Sequence, residues 1–222
     1  SLLAMLAMLK PLKLRWSCQI SIDVARDDEL LEAMAASGCT FVLIGFESLN
    51  PENLRKMQKG FNTMKGGYEQ ALENLRRHGI RLYVTFLLGY DDDGEDTMRE
   101  TLAFALRHKF YIVAFNHLTP FPGTPLYDRL KREGRLLFDR WWLDDNYRYG
   151  MVPFTPKGLT AEDVKQRCLD ARQGFYSLGS ILRRSWDFQV NSSSPFMWWN
   201  FFFINLLFRR EVITRRTQFE LD

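Results

Sequence analysis

Four apolar, β-rich runs separated by helical patterns constrain this chain more than any other feature of it. Residues 16–22, 40–46, 80–89 and 110–118 read as strands, and the segments between them carry apolar residues at helical spacing. After the first run, Asp27 or Asp28 can cap a helix that buries Leu30, Leu31 and Met34. That helix stops at Gly38, a residue suited to a left-handed C′ position. Asn50 followed by Pro51 marks another start, with a capping amide and then a proline where the missing N–H costs nothing. Tyr68, Ala71, Leu72 and Leu75 form one stripe ending at Gly79, and residues 93–108 turn Met98, Leu102, Ala105 and Leu106 inward. The run 80–89 is almost continuously apolar, as expected of a strand covered on both faces. Strict strand–helix alternation implies right-handed βαβ units, hence an α/β fold on a parallel sheet, either open or part of a β/α barrel.

After residue 118 the alternation stops. Pro120, Pro122 and Pro125 crowd a short loop, and Thr124-Pro125 begins a short helix ending near Gly134. Residues 141–157 are irregular and aromatic. Thr160-Ala161-Glu162-Asp163 resembles a capping box; Val164, Cys168, Ala171, Phe175, Leu178 and Leu182 then follow in steps of four and three, describing one helical seam. Residues 195–208 are a dense aromatic block bounded by Arg209 and Arg210. The block is shorter than the roughly 20 residues a spanning helix needs. Three roles stay open for residues 195–210: a helix covering the core, a membrane-surface contact anchored by the two arginines, or a dimer seam. The chain is read as a β/α part, residues 1–135, and a mainly helical C-terminal extension, residues 136–222.

Composition sets outer bounds. With 222 residues, 46% hydrophobic and 26% charged, the chain can bury a full core. A net charge of +3 gives no footing for nucleic acid as a partner. Cys18, Cys39 and Cys168 show no metal or redox spacing, so they read as buried spectator thiols in a cytoplasmic, reducing setting, with no metal site. Residues 1–9 are apolar without a basic leader and read as the tail of a helix that begins upstream. The chain is therefore expected to be a piece of a longer polypeptide.

In parallel α/β folds, ligands bind where strands end, because loops converge there and helix N-termini offer free N–H groups. The polar residues at those ends are Ser21 and Asp23, Glu47 and Ser48, Asp91 to Asp93 after Gly89, and His117 and Thr119. Asn50 and Asp93 serve equally well as turn and cap residues. Glu47 resists that reading, since a carboxylate directly after an apolar strand needs partners or solvent. His78 and His108 fall at helix C-terminal ends, where a surface role suffices, and with His117 they make no catalytic set.

Gly45-Phe46-Glu47-Ser48-Leu49-Asn50-Pro51-Glu52-Asn53-Leu54, followed by Met57-Gln58-Lys59-Gly60, resembles the fourth-strand segment of radical S-adenosylmethionine (radical SAM) enzymes. Phe86-Leu87-Leu88-Gly89-Tyr90-Asp91-Asp92-Asp93 resembles the fifth-strand G-x-I-x-G-x-x-E pattern, with Thr85, Leu87 and Asp92 in place of its first glycine, isoleucine and glutamate. Thr119-Pro120-Phe121-Pro122-Gly123-Thr124-Pro125-Leu126-Tyr127 resembles the P-x-P-G-T-P-L-Y run after the sixth strand. Trp141, the 153–156 segment, the Thr160 cap and Phe175-Tyr176-Ser177 with Ser180, Ile181 and Arg183 resemble the tail of one subgroup. Its members often carry a cobalamin-binding domain and are related to hopanoid methylases.

The resemblance implies a six-stranded partial β/α barrel. It implies a [4Fe–4S] cluster held by a CxxxCxxC loop, chelating S-adenosylmethionine (SAM) and cleaving it to a 5′-deoxyadenosyl radical for hydrogen abstraction or methyl transfer. By position, Glu47 and Ser48 would bond the SAM ribose or ammonium, and Ser21 and Asp23 would face the same ligand. Leu87, Gly89 and Leu118 would form the adenine shelf, Thr119 would offer backbone contacts, and Asp92 would occupy the glutamate position. The resemblance also implies a small-molecule substrate, a flavodoxin or ferredoxin as reductant, and cobalamin where the subgroup's extra domain is present. No CxxxCxxC occurs in this chain, so the cluster ligands are expected outside it and the chain alone is expected to be inactive. A binding module that kept the partial barrel without the cluster is the alternative.

Overall fold

A computed structural model describes residues 2–57 and 67–219, with side chains through Thr214. Gln58 to Gly60 of the first motif lie outside the described residues. Strands β1 (Trp16–Gln19), β2 (Cys39–Glu47), β3 (Arg81–Leu88) and β4 (Ile112–His117) form one parallel sheet in that order. The first strand is shorter than expected: the chain leaves the ladder after Gln19, and Ser21 to Asp23 lie in the turn that follows.

After α1 (Leu2–Leu9), helices α2 (Asp28–Ala36), α4 (Gly67–Arg77) and α5 (Thr97–Arg107) are the crossovers, and α3 (Pro51–Lys56) is a single short piece before α4. Their starts and stops follow local chemistry. The Asp27 carboxylate accepts from the Leu30 N–H at 3.0 Å, and the Asn50 side chain from the Glu52 N–H at 2.9 Å. Gly38 ends α2 at φ 99°, where a β-carbon would fall 1.9 Å from the Leu14 carbonyl oxygen. Val42, Ile44, Phe46, Leu82, Val84 and Phe86 are buried in one core with Leu31, Met34, Ala71, Leu75, Met98 and Ala105 of these helices.

The opposite face of β3 is only half covered, which corrects the expectation of a strand buried on both sides. Tyr83, Thr85 and Leu87 are half-buried there. Near the strand starts this face meets α9 (Pro195–Phe219), which lays Phe201, Phe202 and Phe208 against Phe41, Tyr83, Tyr111 and Ile112. Toward the strand ends it opens onto a cavity.

Three helices close the far edge of the sheet. The expected single seam breaks into α7 (Ala161–Phe175) and α8 (Leu178–Ser185), because Ser177 caps a new helix by accepting from the Ser180 N–H. Leu178 and Leu182 consequently face solvent, each 54% exposed. The Thr160–Asp163 capping box is present as read. α9 runs 25 residues, well past Arg209 and Arg210, because nothing in the sequence stops it there. It buries Phe201, Asn205 and Val212, while Phe196, Trp199, Phe203, Leu206, Leu207 and Ile213 form an exposed stripe. Among the described residues, no helix is long and apolar enough to cross a membrane.

An edge strand presents unpaired backbone groups. On β4 and the residue before it these are met by side chains. Tyr176 accepts from the Val113 N–H at 3.2 Å and donates to the Val113 carbonyl at 2.9 Å. Arg172 Nε donates to the Phe115 carbonyl at 2.8 Å, and Asn205 Nδ2 to that of Tyr111 at 3.3 Å. Arg184, fully buried, donates to the carbonyls of Phe110 and Phe175 and to Asn205 Oδ1, and lies 3.8 Å above the Phe175 ring centre. Burial pushes its guanidinium down to about 9, which leaves it charged at neutral pH.

Candidate active site at the strand ends

The parallel sheet places Glu47, Leu88 and His117, the last residues of β2, β3 and β4, along one rim. Glu47 has the least ordinary backbone. The β2–β3 ladder slips between Gly45 and Glu47, so that Glu47 pairs with Phe86, and its φ is 66°. A non-glycine residue in this left-handed region is strained by about 1–3 kcal/mol and must be held there by its surroundings. Tyr68 supplies the hold: its hydroxyl lies 3.0 Å from the Phe46 carbonyl and 2.9 Å from that of Ser48, bracketing the strained residue. The Tyr68 ring stacks on Phe46 at 4.3 Å. Ser48 is buried, and its hydroxyl oxygen accepts from the Asn50 N–H at 3.0 Å, a turn role at the entry to α3.

The loop after β3 is organised by two carboxylates. Asp93, buried, accepts from the N–H groups of Gly89 and Tyr90 at 2.8 and 2.9 Å, and from Asn53 Nδ2 at 2.8 Å. Burial raises its pKa against the lowering effect of these bonds. Asn53 is itself fully buried on α3, so Asp93 ties the β2 loop to the β3 loop. Asp91 pairs with Arg129 at 2.8 Å and Arg135 at 2.9 Å, joining the same loop to α6 (Pro125–Arg132) and to the turn that follows it. Burial opposes ionisation of Asp91, but these cations hold its carboxyl below the ordinary range. Asp92, the residue matched to the family's glutamate, is on the surface and pairs with Lys56.

Gly89 sits at φ 112°, and a β-carbon there would lie 3.3 Å from Phe154 Cζ and 3.6 Å from Val164 Cγ1. Its small size is used by the extension packing against it. Leu118 is buried and pairs its N–H with the Leu88 carbonyl at 2.8 Å; Leu87 and Thr119 are half-buried; Ser21 and Asp23 are exposed beyond β1.

Beside β4 the rim opens into a cavity of about 600 Å³, walled by Leu87, Leu118 and Thr119, by Phe121, Trp141 and Tyr147, and by Lys165, Cys168 and Arg172 of α7. Sequence reading missed its cationic wall. Lys165, Cys168, Leu169 and Arg172 follow at helical spacing on one face of α7, but the apolar seam drew attention to Cys168 alone. His117 also lines the cavity, and burial, then the Arg172 charge, push its imidazole down to about 4. His78 and His108 stand just past the ends of α4 and α5, half-buried, and pair with the exposed carboxylates of Asp28 and Glu69.

The thiols do not fit an iron–sulfur cluster. Burial pushes Cys39 and Cys168 up to about 12, and Cys18 is raised as well. A cluster needs thiolates, usually three or four within reach. No group of three or more metal-ligating residues occurs among the described residues. What the rim does hold is a carboxylate-bearing residue, Glu47, whose backbone is kept in the left-handed region between two carbonyls bonded to Tyr68.

The radical SAM superfamily profile matches residues 2–105, and a domain family of unknown function, DUF4070, matches residues 124–212. The chain is 34% identical over 199 residues to bacteriochlorophyllide d C-12(1)-methyltransferase of Chlorobaculum tepidum, covering 90% of this chain and 41% of that protein. It is 29% identical over 178 residues to the hopanoid C-2 methylase of Rhodopseudomonas palustris, covering 80% of this chain and 32% of that one. In structure it resembles the radical SAM methyltransferase TsrM of Kitasatospora setae, solved with cobalamin and a [4Fe–4S] cluster, at TM-score 0.54 and 16% identity over 96% of this chain and 49% of that one. Residues 2–105 of the chain are thus a radical SAM superfamily segment. The chain spans less than half the length of each of these three relatives.

Proposed function

We propose that the polypeptide to which this chain belongs transfers a methyl group to a carbon of a small molecule, using SAM, a [4Fe–4S] cluster and cobalamin. The observation that carries the SAM reading is Glu47, held at φ 66° at the strand-end rim by Tyr68. Support for methyl transfer comes from the relatives, whose names include two bacteriochlorophyllide methyltransferases and a hopanoid methylase. Bound together, the cluster and SAM supply radical chemistry, and cobalamin supplies a methyl carrier. The residues of this chain bind and orient: Glu47 accepts hydrogen bonds from SAM hydroxyl or ammonium groups, and Leu87, Leu118 and Thr119 shelve the adenine. The extension covers the rim and excludes water. The cluster ligands belong to segments outside this chain, so the chain alone is inactive.

Two substitutions in the full-length, cluster-loaded polypeptide test the role of Glu47. Glu47→Ala removes a charge-assisted bond and weakens SAM binding by roughly 10- to 150-fold. Glu47→Gly does the same while relieving the left-handed backbone, so its melting temperature rises or holds. Unchanged SAM affinity in both variants removes Glu47 from the site.

A further inference from the structure

We propose that the cavity beside β4 is the substrate site, and that it selects an apolar, ring-bearing molecule carrying a carboxylate. The inference rests on the SAM reading above and adds to it the chemical class of the second ligand.

Size and shape come first. About 600 Å³ is the volume of a pocket for a multi-ring molecule and exceeds what a bare nucleobase fills. One wall is a fixed aromatic group. Trp141 donates its indole N–H to the Pro120 carbonyl at 2.9 Å, and its ring lies 5.9 Å from Phe121 and 5.1 Å from Tyr147. Rings anchored in this way offer faces and edges to another ring system at little ordering cost.

Charge comes second. Among the described residues, Lys165 and Arg172 are the only charged ones lining the cavity, and no Asp or Glu lines it. His117 adds none, being neutral above about pH 4. Arg172 is fixed by its bonds to the Phe115 carbonyl and to Asn116 Oδ1 at 2.8 and 2.9 Å. Lys165, with a side chain 20% exposed, pairs at 3.3 Å with Glu162, whose own side chain is 73% exposed. A pair with so exposed a carboxylate is weak and readily exchanged for a ligand carboxylate that is itself shielded from water. Two cations facing an apolar space with no anion in its lining among the described residues favour an anionic guest.

Position comes third. Leu87, Leu118 and Thr119, the shelf assigned to the SAM adenine, are also the wall of this cavity nearest the sheet. A ring-bearing molecule lying against the aromatic wall therefore adjoins the cofactor.

The test is a titration of the full-length polypeptide with protoporphyrin IX, a flat dicarboxylate, and with its dimethyl ester, followed by the porphyrin absorbance band. The free acid is expected to bind saturably and at least 10-fold more tightly than the ester. Lys165→Gln should weaken the acid about 10-fold and leave the ester unchanged, while Trp141→Leu should weaken both; circular dichroism checks that each variant is folded. Equal binding of acid and ester, an unaffected Lys165→Gln variant, or no saturable binding overturns the proposal. S-adenosylhomocysteine binding by the full-length polypeptide, and its loss in Glu47→Ala, reports on the SAM reading separately, so either reading can fail alone.

Discussion

The two edges of the sheet end in different ways. At β4, the outward backbone groups of Tyr111, Val113 and Phe115 are met by Asn205, Tyr176 and Arg172, drawn from the helices of the extension. At β1, four residues long, Ser17 and Gln19 are exposed, and among the described residues no side chain bonds its outer backbone. One edge is closed against further pairing, and the other is chemically open to another strand. The extension thus finishes the β4 edge of the sheet as well as walling the cavity.

The largest test of this contrast is Arg184→Ala. It removes a buried cation shared among several carbonyls, and unfolding by denaturant should show a loss of about 3–5 kcal/mol. A loss below about 1 kcal/mol would mean that the edge holds without it. Acid is the next probe, because His117 is the last residue of the closed strand. Its folded pKa, about 4, lies below the ordinary 6.5, so between those values the unfolded chain binds the extra proton and stability falls as pH falls. His117→Asn should therefore lose about 2 kcal/mol less than the native chain between pH 7 and pH 4, after allowance for partial exposure. Equal acid sensitivity would show that His117 titrates normally. Tyr176→Phe should cost about 1–3 kcal/mol, since it leaves a buried N–H and carbonyl without their shared partner. At the open edge, Ser17→Lys should change the stability of this chain by no more than about 0.5 kcal/mol. A cost there comparable to that of Tyr176→Phe would show that the β1 edge is packed after all.

Much of the sheet was legible because βα alternation is written in local pattern. Apolar runs and caps such as Asp27, Asn50 and the Thr160–Asp163 box depend on neighbours a few residues away. The rim followed from it, since parallel strands must end on the same side. What escaped was non-local. The alternation in β3 between a covered face and a half-covered one depends on where the later helices pack, which a continuous apolar run conceals. The break at Ser177 was hidden because Leu178 and Leu182 continued the spacing of the seam. Lys165 and Arg172 looked like ordinary charged helix residues, because the cavity they face is completed by a loop twenty residues away. Asp92 fitted a motif position, yet the buried carboxylate of that loop is its neighbour Asp93.

The notch at Gly89 has a consequence for inheritance. Gly89 lies within the part matched to the radical SAM superfamily, and the ring that fills its notch, Phe154, within the part matched to the domain of unknown function. A side chain at position 89 displaces the ring, and a smaller residue at 154 leaves a void against the glycine. The two parts are therefore not freely interchangeable modules. Chimaeras joined between residues 105 and 124 should be more stable when residue 154 still fits the notch at residue 89 than when it does not.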